Sequence, residues 1–198
     1  MPRPLRAPER IQASAKNAES YPDRPSAVPS DSSTSGAPNM SELSGKIADM
    51  VEESVISVFG TMASLAGQPV SKADDATDIQ LNGVGGFVNF AGPLSGAVYL
   101  LMSERTAKQV TVNMLGTEEV GAGEIKDVVG ELTNMVAGGL KNQLATAGWD
   151  SVLTIPTYIT GENSRITVRN ISVATKNVVG FPGIVDPVQV RVLARQMP

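Results

Sequence analysis

Glu131 and Asn134 stand three residues apart in "GELTNMVAGGLK" (residues 130–141), with Asp127 four residues upstream and Gly138 four downstream. At about 3.6 residues per turn such spacing returns to one side of a helix, so a carboxylate and a neutral amide are displayed together. The amide can accept from and donate to a water molecule without adding charge, while the carboxylate can hold a cation. Gly138 and Gly139 interrupt apolar spacing that otherwise argues for a continuous helix. A glycine in a helix interior costs roughly 1 kcal/mol relative to alanine, so two in succession imply a need for space.

The helix that carries these residues spans about 123–147. Ile125, Val129, Leu132, Val136 and Leu140 share its core face. Asp127, Glu131, Asn134, Gly138 and Lys141 fall within an arc of about 80° on the opposite side. Gly138 lies on that exposed arc and lowers the surface one turn beyond Asn134, whereas Gly139 lies to the side, where contact with a neighbouring element is expected. By itself, Glu-x-x-Asn is most often a solvated face. The carboxylate, the amide and the gap in side chains together read as a docking surface for another macromolecule.

The remaining elements frame that helix. Leu43, Ile47, Met50, Val51, Val55, Val58, Phe59 and Met62 recur at helical spacing from Ser41 onward. Two apolar runs around "AGPLSG" predict a β-hairpin, residues 77–90 and 95–102. Gly83, Gly85 and Gly86 could suggest a phosphate loop, but they sit inside the first strand with no helix directly following, which favours bulges or close packing. Ser103 and Gly116 fit the N-cap and the end of a short helix through Leu115. Strand-like runs follow at Ser151–Thr160, Arg165–Thr175 and Pro187–Ala194. The resulting order, αββααβββ, predicts an α+β fold with an antiparallel-rich sheet packed with two long helices.

Composition removes several classes of chemistry. The 198 residues contain no cysteine and no histidine, so thiol catalysis, disulfides, cysteine-ligated zinc and Ser-His-Asp triads cannot be built from them. A net charge of −4 gives no basic footprint for nucleic acid. Neither a membrane span nor a secretory leader is read, and the cytoplasm is the expected compartment. The first 39 residues hold seven of the thirteen prolines and no apolar periodicity, which predicts a disordered tail or an over-extended start ahead of "MSELSGK". Acidic residues such as Glu9 and Asp23 argue against reading it as a transit peptide. The folded domain is expected over residues 40–198.

The motif and the element order resemble the CheC/CheX/FliY phosphatases of bacterial chemotaxis, most closely the CheX-like members. Their signature is Asp or Ser, three residues, Glu, two residues, Asn, then about twenty-two residues and Pro. Asp127, Glu131 and Asn134 fill the first three places, and Pro156 follows Asn134 after twenty-one residues. The missing residue falls in or near the connection "ATAGWDSV". The resemblance extends over residues 41–195 and includes "VFGTMASL" and "GPLSGAVYLLMS". CheC-like members carry the signature on both long helices. Here Glu52 and Glu53 are followed three residues later by Val55 and Ile56, so one site per chain is implied.

What the resemblance implies is hydrolysis of the aspartyl phosphate of a phosphorylated CheY-like response regulator. Asn134 would orient the attacking water and Glu131 would pair with the regulator's active-site lysine, with Asp127, Gly138 and Lys141 on the same partner-binding arc. Mg²⁺ would be supplied by the regulator, and no cofactor or metal would be bound by this chain. A homodimer is implied as well. Two other readings stay open: a binding or flagellar-switch adaptor module without catalysis, and a metal-dependent hydrolase using Asp127, Glu131, Glu124 and Asp150.

Overall fold

The computed structural model describes residues 40–73 and 77–197. The proline-rich tail read up to Asn39 lies outside these residues. The chain begins with helix α1 (Met40–Ala63), whose inward stripe of Leu43, Ile47, Val51, Val55 and Phe59 is buried. Three strands follow: β1 (Gln68–Ala73), β2 (Asp78–Ala91) and β3 (Leu94–Met102). Helix α2 (Glu104–Leu115) and helix α3 (Ala122–Thr146) come next. The chain closes with β4 (Val152–Leu153), β5 (Thr157–Thr167), β6 (Val173–Gly180) and β7 (Val188–Gln196).

The seven strands form an antiparallel sheet in the order β1-β6-β7-β3-β2-β4, with β5 also pairing β2. All three helices contribute to one buried cluster, where α1 and α3 pack on each other and on the sheet. Strand alternation sends Val98, Leu100 and Met102 of β3 into that cluster, and Ala97, Tyr99 and Leu101 to the opposite face. A second cluster covers the opposite face with Ile79 and Leu81 of β2, together with Ile166 and Val168. The β2–β5 pair therefore bends over the sheet. The bend falls where the register breaks between Leu81 and Gly83. Gly83 has φ of 128° there, and an added Cβ would stand 2.6 Å from the Met102 carbonyl. Glycine is required at that corner.

The expected alternation of helices and strands is present, with two short strands added. β1 was not anticipated because its residues, "QPVSKA", are mostly exposed and show no apolar alternation. It joins the sheet by antiparallel pairing with β6, and it is tied to α1 by charge: Lys72 Nζ lies 2.8 Å from both Asp49 Oδ1 and Glu52 Oε1. Two strand boundaries also differ. The expected break between Ser151–Thr160 and Arg165–Thr175 is a continuous β5, and the expected run Arg165–Thr175 is itself interrupted, with β5 ending at Thr167 and β6 starting only at Val173. "TGENSR" looks like a turn in sequence, yet its irregularity is absorbed within the strand pair. Asn163 takes a left-handed φ of 49° and its backbone N–H donates to Asn82 Oδ1 at 2.7 Å. The hairpin and both predicted helix ends of α2 fall within a residue of their expected positions.

Candidate functional site

Helix α3 positions the candidate residues, and its own orientation is fixed from both ends of the motif. At its start, the Gly121 N–H donates to Glu124 Oε2 at 2.9 Å, the reciprocal half of a capping box. Val128, Val129, Leu132, Val136, Leu140 and Leu144 anchor the inner face. Thr133 is buried beside Gly86 of β2, where any Cβ would run into the threonine side chain. Its hydroxyl donates to the Val129 carbonyl at 2.7 Å, so no buried polar atom is left over. The residue after Thr133 is Asn134. Close approach of strand and helix at Gly86 thus sets which way the amide faces, a contact that the glycines of β2 announced without naming their partner.

Asp127 and Glu131 are exposed, and Asn134, Gly138 and Lys141 are partly exposed, all on the helix side away from the core. Side chains three apart on a helix have their Cβ atoms about 5–6 Å apart, which places the Glu131 carboxylate and the Asn134 amide within one turn. Neither side chain has a hydrogen-bonding or ion-pair partner among the described residues. At Gly138 an added Cβ would meet nothing within 4 Å. At Gly139 it would stand 2.8 Å from Ser54 Oγ and 3.0 Å from Ser54 Cβ. The two glycines therefore have different surroundings: one leaves open space on the exposed arc, and the other lets α3 approach α1.

A shallow groove of about 250 Å³ opens beside the motif, lined by Lys126, Asp127, Gly130, Glu131, Pro156 and Tyr158. Pro156 faces the same groove as Asp127 and Glu131 despite the spacing one residue shorter than the signature. Asn134, Gly138 and Lys141 continue the arc beyond the groove. Tyr158 and Gly130 were not singled out from the sequence; β5 carries Tyr158 to the groove through pairing with β2, a long-range contact that local pattern does not encode. Burial, with a smaller contribution from the negative charge of Glu104, pushes the Tyr158 hydroxyl above its ordinary pKa, so it remains a neutral hydrogen-bonding group at neutral pH.

Of the carboxylates considered for a metal, Glu124 is engaged in capping the helix. Among the described residues no three His, Cys, Asp or Glu side chains come together as a metal-holding group. No described helix is long and apolar enough to cross a membrane.

A family model described as "Chemotaxis phosphatase CheX" matches residues 84–180. No curated protein matches the chain. Among solved structures, the chemotaxis protein CheX from Vibrio vulnificus aligns with a TM-score of 0.68 at 25% identity, covering 76% of this chain and 99% of that one. A CheC-like superfamily protein from Shewanella sp. PV-4 aligns with a TM-score of 0.64 at 26% identity, covering 75% and 97%. A CheX–CheY–BeF3–Mg²⁺ complex from Borrelia burgdorferi aligns at 0.62 and 22% identity, covering 74% and 96%. The fold, the matched residues and these likenesses agree with the motif on α3: residues 84–180 match the CheX family model, and the chain is similar in fold to CheX and CheC-like chemotaxis proteins.

Proposed function

We propose that this protein hydrolyses the aspartyl phosphate of a CheY-type response regulator, in chemotaxis or a related two-component pathway. The observation that carries this reading is the pair of unengaged side chains, Glu131 and Asn134, on an exposed helix face with open space at Gly138. The B. burgdorferi relative was solved together with CheY, which supports a regulator of that type as partner.

The chemistry demanded of this chain is small. In an acyl phosphate, the water oxygen forms a new P–O bond as the bond to the aspartyl oxygen breaks. Inorganic phosphate leaves and the regulator's carboxylate is regenerated. Phosphoryl transfer is accelerated chiefly by positioning and charge neutralisation. Asn134 orients the water in line with phosphorus, and its neutrality avoids placing another negative charge beside the phosphate. Glu131 pairs with the regulator's active-site lysine and holds α3 in register. Exposed ion pairs contribute only about 0–1 kcal/mol, but one desolvated at an interface matters more. Mg²⁺ belongs to the regulator's phosphorylation site rather than to this domain, and the reaction takes place in the cytoplasm, with the phosphatase domain extending over residues 40–198 and acting as a homodimer.

The test is phosphate release from a cognate phosphorylated regulator with and without the protein. Asn134→Ala should lower turnover on the order of 10²-fold while largely preserving regulator binding. Glu131→Ala should weaken binding and turnover together, since a lost contact also misplaces Asn134. Unchanged turnover in Asn134→Ala would overturn the reading. The alternative, a non-catalytic regulator-binding or flagellar-switch adaptor, is less favoured because an adaptor has no use for the water-positioning amide; it predicts binding without phosphate release.

A further inference from the structure

We infer that the groove beside α3 is a slot for one ammonium group, that of the regulator's active-site lysine, with the Tyr158 hydroxyl as a second acceptor beside Glu131 and Gly130 as the floor. This rests on the proposed function of the α3 face, and it adds two specificity-determining residues that lie outside the motif.

The place of Tyr158 follows from the sheet. It pairs directly with Gly86 of β2, and residues paired across two strands project to the same face. On that face Thr133 of α3 crowds Gly86, so Tyr158 stands beside α3, while its neighbour Ile159 turns to the second cluster. The ring packs on the main core and is half-buried, and the hydroxyl has no hydrogen-bonding partner among the described residues. Packing thus fixes the aromatic body and leaves its polar tip available. On the helix side, Gly130 brings bare backbone to the groove, and an added Cβ there would meet nothing within 4 Å. Glycine is unfavourable in a helix interior, and no neighbour within the domain requires it at this position. The space it leaves is open to an incoming group.

Charge selects the occupant. The lining residues carry two carboxylates, Asp127 and Glu131, and one ammonium, Lys126. None of the three forms an ion pair with a described residue. The groove is therefore short of one positive charge, which a single lysine would supply and an anion would not. A lysine ammonium has three N–H donors and no acceptor, so the Glu131 carboxylate satisfies one and the Tyr158 hydroxyl, neutral at working pH, can accept another. The apolar lysine stem matches the other wall, made by Pro156 and the Tyr158 ring. An exposed ion pair to Glu131 alone would be weak, and the second acceptor on a rigid wall gives it a defined geometry.

The experiment measures Kd by titrating the full chain and its variants with a CheY-type regulator activated by beryllofluoride and Mg²⁺, once in wild-type form and once with its active-site lysine changed to methionine, together with thermal unfolding of each variant. Tyr158→Phe, which removes only the hydroxyl, should weaken binding of the wild-type regulator about 5-fold and leave binding of the lysine-less regulator unchanged. Such non-additivity is the mark of groups in contact, and a purely structural role would not produce it. Gly130→Ala should weaken binding of the wild-type regulator by about 5-fold or more while unfolding at or above the wild-type temperature. An unchanged Kd in Tyr158→Phe, equal losses against both regulators, or wild-type affinity in Gly130→Ala would each overturn the slot. None of these results touches the phosphatase reading, which fails instead if Asn134→Ala dephosphorylates the phosphorylated regulator at the wild-type rate.

Discussion

Gly138 and Gly139 are adjacent in sequence and opposite in consequence. A methyl group at 138 enters open space, so Gly138→Ala should stabilise the helix by about 0.5–1 kcal/mol. A methyl at 139 meets the Ser54 side chain, whose Oγ is already held by donating to the Met50 carbonyl at 2.8 Å and by Gln143 Nε2 at 3.2 Å. Displacing it should cost about 1–3 kcal/mol. Chemical denaturation of the two variants checks the sign of each. The functional expectation runs against the stability: if the low surface at 138 admits the regulator, the more stable Gly138→Ala should have the higher KM. The exposed arc was legible from helical spacing alone, and so was the distinction between these two glycines. The partner of each contact was not, because Ser54 lies 85 residues away in sequence and only the fold brings it to Gly139.

At the scale of elements, legibility followed how local the determining interactions are. Helix α2 could be read to the residue because its ends are written in adjacent side chains: Ser103 Oγ accepts from the Thr106 N–H at 3.1 Å, and Gly116 takes a left-handed φ of 64°. β1 could not, because both of its attachments, the pairing with β6 and the ion pairs of Lys72 with α1, are long-range in sequence. Glu52 itself is 8% exposed and also accepts from Asn177 Nδ2 at 3.2 Å, so Lys72 neutralises a nearly buried carboxylate. Lys72→Met should therefore destabilise the domain by about 1–2 kcal/mol and loosen β1 first, which amide hydrogen exchange of residues 68–73 reports. Hydrogen bonds from Lys72 to Asp49 and Glu52 raise its pKa above the ordinary lysine value. A raised folded-state pKa contributes stability that is complete below the unfolded lysine pKa of about 10.4 and is lost as pH rises through the folded value. Wild-type stability should thus fall at alkaline pH by more than that of Lys72→Met, and the two curves should converge there.

For the whole molecule, the predicted alternation of helices and strands was enough to foresee one antiparallel sheet backed by long helices, while its closure by the bent β2–β5 pair was not. A protein beginning at Met40 should unfold cooperatively and dephosphorylate the regulator as the full chain does, because residues 1–39 contain no apolar pattern able to join a core. Loss of cooperative unfolding in that truncation would show that the tail packs on the domain.

The expected homodimer is best argued from the two sheet edges. An unpaired strand edge is a template for another chain unless it is blunted. β1 has such devices: Pro69 and Lys72 lie in it, and its register against β6 shifts between Pro69 and Ser71. β5 differs, with eleven residues, no proline, and no strand among the described residues on its side away from β2. Self-association through β5 would extend the sheet with backbone hydrogen bonds rather than ion pairs, so it should be insensitive to salt, unlike a charge-mediated dimer. Light scattering at micromolar concentration should return twice the 20.7 kDa chain mass, unchanged between low and high ionic strength. A monomeric mass under both conditions would remove the dimer, and a dimer that dissociates in high salt would move the contact from the strand edge to the charged surfaces of the helices.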